Sequence, residues 1–449
     1  MKNYIVVFVS LISLSLSAQN IHTGYYSNAF ILQSASNPAA FPEANTVVGF
    51  PALSNISYGL QWPLSLNELY EKGEGDSLRI SLPSISSYID KQDALYLNGR
   101  HQILHLGFKV GKKKKVFAYL GDEIVTDIGL RISGNLVDYL SSGNAHFLNR
   151  QMNFNDERLE VSVYNSFYVG AAVNLNEKWN VGTRLKVLTG MANVQTEQLH
   201  LGFYTDSTSI PIYETSLQAD VSLQTSGMGM VSDSLDFDPL LNSGFAFDLG
   251  ATYKYSEKLE FSFALNDIGS INWAEENNEY YTTEGEVEYV FEGLTQSSSG
   301  AEVLEDQLEE ITDSLSTTME LTKSSGAYTT KIHSSLFLGA EYKLNEKHNF
   351  SLLFHSRKHF DKSFNVYSLG YQYQMAESFQ LLASYQNLSG ISNVGAGFVW
   401  SPGPLQMHLV FDNMLVADVF DAKNLSVQMG FSFHFGKKKV EEEVIEESL

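Results

Sequence analysis

The chain has 449 residues, with 29 Lys and Arg against 52 Asp and Glu, a formal charge of −23 and no cysteine. Nothing basic and extended exists to meet phosphates, which excludes a nucleic-acid binder. The missing thiols exclude disulfides, a lipoprotein anchor, thiolate catalysis and Cys-based zinc sites, while 24 Tyr, 28 Phe and 4 Trp beside 9 Pro exclude a disordered chain.

Residues 1–18 read as a secretory signal peptide. Lys2 gives a short positive start, Tyr4 to Leu16 are apolar apart from serines, and Ser17-Ala18 offers small residues for cleavage. Residues 19–45 have no period but hold Ile21, Tyr25, Tyr26, Phe30, Ile31, Leu32 and Phe41, with Asn37-Pro38 starting a turn. That content predicts an ordered plug packed inside whatever follows. No run of eighteen apolar residues exists, so an α-helical membrane protein is excluded.

From 46 to 436 the pattern becomes period two. A leading strand within 46–62 is followed by the tight turn GKKKK (111–115). Over 159–175, LEVSVYNSFYVGAAVNL, odd positions are apolar except Asn165, and even ones polar or small. Seventeen residues exceed an ordinary soluble strand and suit a tilted membrane crossing. The odd positions should face lipid and the even ones a lumen. A charge at Val169 should therefore cost more than one at Ser166.

The same alternation recurs over 245–255, 259–265, 336–344 and 425–435. NLNEKW (174–179), YSEKLE (255–260), LNEKHN (344–349), MAESF (375–379) and SPGPL (401–405) complete six tight turns. Connections 191–244 and 268–332 are long, and 357–363 and 389–392 brief. Short turns on one side and longer loops on the other fit an outer-membrane barrel. With both termini on the turn side, six turns give fourteen strands. A two-sheet sandwich alternates too, but Trp179, Tyr253, Tyr255 and Tyr342 close to the turns suit an interfacial girdle.

Within the longest connection, Leu304, Leu308, Ile311 and Leu315 predict a helix over 301–321, its other faces acidic. Residues 437–449, KKKVEEEVIEESL, read as a charged periplasmic tail. No catalytic set or cofactor motif stands out, so an enzyme is the least supported class. His355, Arg357, Lys358 and His359, with Asp361, form a weak metal candidate. Asp233, Asp236 and Asp238 form another, but lack EF-hand spacing. His101 and His105 read as lumenal or interfacial. Inward Ser, Tyr, Gly and Gln372, Gln374 and Gln428 predict a lumen without strong charge, not a strongly ion-selective pore.

The stretch SNPAAFPEANTVVGFPALSNISYGL, with Asn37-Pro38-Ala39, resembles the start of the long-chain fatty-acid transporter (FadL-like) barrels and of PorV-type proteins. With LRISGNLVDYL (130–140) and ALNDIGSINW (264–273) it looks like an uncharacterised family of Bacteroidota outer-membrane barrels. The resemblance implies a fourteen-stranded barrel with an N-terminal hatch, and it places Asn37, Pro38 and Ala39 in that hatch. The ligand pocket of the transporters has no recognisable counterpart here. PorV-type relatives work with type IX secretion, so fold alone leaves two functions. One is a barrel in outer-membrane lipid that admits or binds small hydrophobic compounds, gated by residues 19–45. The other is an envelope scaffold that presents its loops to partner proteins.

Overall fold

The computed structural model describes residues 22–62, 64–72, 78–80, 94–208, 215–227, 241–283, 287–291, 322–359, 362–388, 391–413, 421 and 423–436. They form a closed antiparallel barrel of fourteen staves. The first stave is in two pieces, Thr46–Gly49 and Asn55–Gln61. The next five are Ala94–Val110, Val116–Arg131, Arg158–Asn174, Trp179–Thr205 and Ser243–Lys254. Leu259–Trp273, Ser335–Lys343, His348–His359 and Lys362–Ala376 continue the wall. Phe379–Leu388, Ile391–Trp400, Leu405–Asp412 and Asn424–Phe435 complete it. Closure is direct: Val48 pairs with Phe433 of the last stave and Leu106 of the second. A sandwich, which leaves open edges, is thereby excluded.

The break in the first stave is matched across the ladder. Ala52 takes φ 58° and its N–H donates to Ile103 O at 2.8 Å, where the second stave shifts register between Gln102 and Leu104. Two facing irregularities of this kind bend the wall without opening it.

The six short turns lie where the sequence puts them, and their likeness has a physical cause. Asn176 Oδ1 accepts from the backbone N–H of Lys178 (2.8 Å) and Trp179 (3.0 Å). Asn345 Oδ1 does the same for Lys347 (2.9 Å) and His348 (3.0 Å), and Ser256 Oγ for Lys258 and Leu259. In each case a short side chain takes the place of a backbone carbonyl and fixes the reversal.

Side chains alternate as the pattern demands. Phe167 is 44% exposed and Val169 46%, while Tyr164, Ser166 and Tyr168 face inward and are buried. Leu185, Val187, Leu249, Leu352 and Leu369 extend the outward apolar belt. Trp179, its ring tilted against Tyr253 with centroids 4.5 Å apart, lies at its turn-side edge with Tyr342 and Tyr255.

The opposite rim differs from the simple loops expected. Trp179–Thr205 runs on for 27 residues and pairs with Thr215–Ser226, so much of 191–244 is strand. That pair is widened by Asn278–Thr282, Val287–Phe291 and Thr322–Ser324 on one side, and by Gln151–Phe154 on the other. A helix, Gly134–Ser142, whose cap Ser133 Oγ accepts from Leu136 N–H at 3.2 Å, packs Tyr139 on Phe147 and Phe154 beside this sheet. The expected signal peptide, the helix over 301–321 and the charged tail lie outside the described residues, as do Asp233, Asp236, Asp238 and Asp361.

Candidate functional site: a segment seated in the lumen

Residues 22–45 lie inside the barrel. Their only regular element is a seven-residue helix, Phe30–Ser36. Asn37 ends it because the residue before a proline is pushed out of the helical region; its φ is −134° and ψ 111°. The Asn37 N–H donates to Gln33 O at 2.8 Å, and its Oδ1 accepts from Ala39 N–H at 2.9 Å. The triplet Asn37-Pro38-Ala39 is thus a side-chain-stabilised turn at the foot of the helix.

Apolar contacts fix the segment against several staves at once. Phe30 meets Phe117 edge-to-face at 5.0 Å, Tyr25 stacks on Phe337 at 5.6 Å, and Leu32 packs with Leu382, Val399 and Val410. Polar anchors complete it. Tyr26 hydrogen-bonds Ser262 at 2.7 Å; His22 N–H donates to Asp412 Oδ2 at 3.0 Å, and Thr23 Oγ1 donates to Asp412 Oδ1. The last carbonyls of the short helix, left open by the end of the ladder, accept from Arg184 Nη2 (Ala35 O, 3.2 Å) and Asn266 Nδ2 (Ser36 O, 2.7 Å).

The triplet itself rests on a pair of glycines. Gly182 and Gly250 are direct cross-strand partners. A Cβ on Gly182 would sit 2.0 Å from Pro38 O, and one on Gly250 2.2 Å from Asn37 Oδ1. Ala172 and Ala264, the next partners on either side, extend this low row across four staves. Tyr119 OH donates to Pro38 O at 3.3 Å and closes one flank. Beside the seat, toward the short turns, lies a cavity of about 410 Å³ bordered by Tyr25, Asn37, Phe41, Ser262, Glu341 and Lys343.

The lumen also corrects the expectation of a wall without strong charge. Lys186 Nζ lies 2.5 Å from Asp267 Oδ1 and 2.9 Å from Asp248 Oδ2, and Arg184 Nε lies 2.6 Å from Asp248 Oδ2. Arg100 bridges Asp267 and Glu123. Each ion is paired with at least one opposite charge, which offsets the several kcal/mol that burial costs it. The signs are mixed, so no ring of one charge forms here.

The histidine candidate divides. His355 Nδ1 meets His22 Nε2 at 2.9 Å and belongs to the seat of the plug, while Lys358 points outward. His359 instead joins Asp127 and His333, two residues the sequence did not connect with it. His105 is buried beside Tyr168 OH (3.1 Å), and His101 reaches Ala52 O at 2.6 Å. Gly182 and Gly250 went unseen as a seat, since an inward glycine has meaning only once its cross-strand neighbour is known.

Fold and site together define a closed fourteen-stranded barrel with its own N-terminal segment in the lumen. The chain belongs to the family of unknown function DUF5723, whose model matches residues 38–412. No curated protein matches it. Among solved structures it is similar to the Ralstonia pickettii toluene transporter TbuX, at 10% identity over 90% of this chain and 94% of that one, TM-score 0.44. It is similar also to the Pseudomonas putida toluene transporter TodX, at 10% identity over 93% and 98%, TM-score 0.44. A Pseudomonas aeruginosa FadL homologue matches at 11% identity over 89% and 93%, again with TM-score 0.44.

Proposed function

We propose that this chain is an outer-membrane barrel that admits small hydrophobic compounds, gated by residues 19–45 with the Asn37-Pro38-Ala39 turn as the latch. The observation that carries this reading is the fit of that turn on Gly182 and Gly250. A segment seated so closely and held against several staves narrows the lumen there, and on this reading passage requires it to move. The outward belt of Phe, Leu and Val matches a hydrocarbon core, and the aromatics at its turn-side edge match an interface. Lifting the segment would uncover Phe117, Phe337, Leu382 and Val399, apolar patches on three parts of the wall set among the polar anchors Ser262, Arg184, Asn266 and Asp412.

The test is uptake of a nonpolar aromatic compound into proteoliposomes holding the full-length barrel or a variant lacking residues 24–42. A changed rate on deletion, or ligand density in the lumen of lipid-embedded protein, supports the gate. Equal rates with no bound ligand overturn it. A second reading, a secretion-associated (type IX-like) or scaffold barrel, has one observation in its favour: the sheet that Trp179–Thr205 and Thr215–Ser226 raise beyond the rim. Crosslinking with mass spectrometry separates the two, because stoichiometric partners on that sheet favour the scaffold.

A further inference from the structure

At the end of the lumen away from the short turns, three side chains from distant parts of the wall converge. Asp127 comes from the third stave, His333 from the link ahead of Ser335–Lys343, and His359 from the end of His348–His359. One potential ligand atom from each lies within 4.8 Å of the others. We propose that Asp127, His333 and His359 bind one divalent transition-metal cation of the zinc type.

The surroundings favour coordination over ordinary packing. Arg357 Nη2 donates to Asp127 Oδ1 at 2.7 Å, which orients the carboxylate and leaves Oδ2 facing His333 Nδ1 at 3.6 Å. That separation is too long for a hydrogen bond. The other nitrogen of His333, Nε2, lies 3.9 Å from Glu160 Oε2. This too is beyond hydrogen-bond length, but a shift of under about 1 Å would let the ring give its second N–H to that carboxylate, as a ligating imidazole typically does. The rings of His333 and His359 are in contact, with centroids 4.1 Å apart, and His359 is held on its other sides by Tyr96 (4.8 Å) and Phe364 (6.0 Å).

Charge and size agree with this assignment. The imidazoles are neutral when they ligate; Arg357 offsets the charge of Asp127 and opposes a cation, so Glu160 is the one net negative charge of the cluster and the donor set carries the assignment. Two imidazoles and one carboxylate suit zinc and its neighbours and not calcium or magnesium. Ligands about 2.0–2.2 Å from zinc lie roughly 3.3 Å from one another, so the three atoms need only side-chain-scale contraction. The His333 side chain is 21% exposed, which gives the ion an entry and a water the fourth position. Because Asp127 and His359 stand on staves far apart around the ring, a bound ion ties the two walls together. This assignment is independent of whether the N-terminal segment gates passage.

The experiment uses the full-length barrel without a polyhistidine tag, stripped with chelator in detergent and titrated with Zn²⁺ by calorimetry. Co²⁺ absorption is read in parallel. One zinc per chain and a tetrahedral cobalt spectrum are expected. His333→Gln and His359→Gln should abolish both, and Glu160→Gln should weaken binding about 10–100-fold. His408→Gln, at a buried histidine elsewhere, should leave zinc binding unchanged. Heat-modifiable gel mobility establishes that each variant is folded. No saturable zinc binding by the wild-type barrel, or undiminished binding by the folded His333→Gln and His359→Gln variants, overturns the site.

Discussion

Ser166 and Val169 show what a single position in this wall means. Val169 stands in the outward belt, and Val169→Arg should cost about 2–4 kcal/mol in denaturant unfolding from lipid if it lies near the midplane. Ser166 was expected to tolerate a charge as a lumenal position, yet it is only 1% exposed and closely packed. A long charged side chain has no space there. Among the described residues its hydroxyl has no hydrogen-bond partner, so Ser166→Ala removes an unsatisfied buried group and should leave stability unchanged or raise it by up to about 1–3 kcal/mol. Gly182 is sensitive for the opposite reason. Gly182→Val puts methyl groups where Pro38 O now lies, so residues 22–45 should become open to protease while the barrel keeps its heat-modifiable mobility. Unchanged protection of that segment would contradict the seat.

At the scale of the element, the N-terminal segment couples to pH through His22. Burial lowers its pKa, against the pull of Asp412, and His355 is the other titratable side chain against it. The released segment would carry an ordinary histidine of about 6.5. Since the released state then binds the proton more readily, seating is at full strength above that pH and weakens as pH falls below it. Protease exposure of residues 22–45 should therefore rise between pH 7 and pH 5. His22→Gln should flatten that profile, and a wild-type profile without slope would remove His22 from the latch. Little of this element was readable beforehand. Tyr25, Phe30 and Leu32 show that the segment packs, but not on what, because Phe337, Phe117 and Leu382 are hundreds of residues or whole staves away.

Over the whole molecule, what could be read followed from where the constraint lies. Staves such as 159–175 must present an apolar face along their full length, so their alternation is visible in one dimension. The turn-forming Asn176, Ser256 and Asn345 sit next to the strands they join, so their spacing is visible too. Beyond the rim that constraint weakens: Gln195, Thr196, Gln198 and His200 break the apolar alternation, so 191–205 read as loop although Leu199, Leu201 and Phe203 resume it. Gly182 with Gly250, and Asp127 with His333 and His359, are products of register and closure. No scan along the chain can bring them together.

The last residue of the N-terminal segment is itself stitched into the closing seam. Asn45 N–H donates to Phe435 O at 2.8 Å, and Asn45 O accepts from Lys109 N–H at 2.7 Å. The segment is therefore leashed at its base, and unseating it is an intramolecular event. Short flexible leashes give effective concentrations in the millimolar range, so a free peptide of residues 22–45 at micromolar concentration should fail to displace the attached copy. The same peptide should re-seat in a barrel lacking residues 24–42, read as lost permeability. Reopening after each passage would then be limited by how often the leash strays, and hardly at all by how many barrels share the membrane.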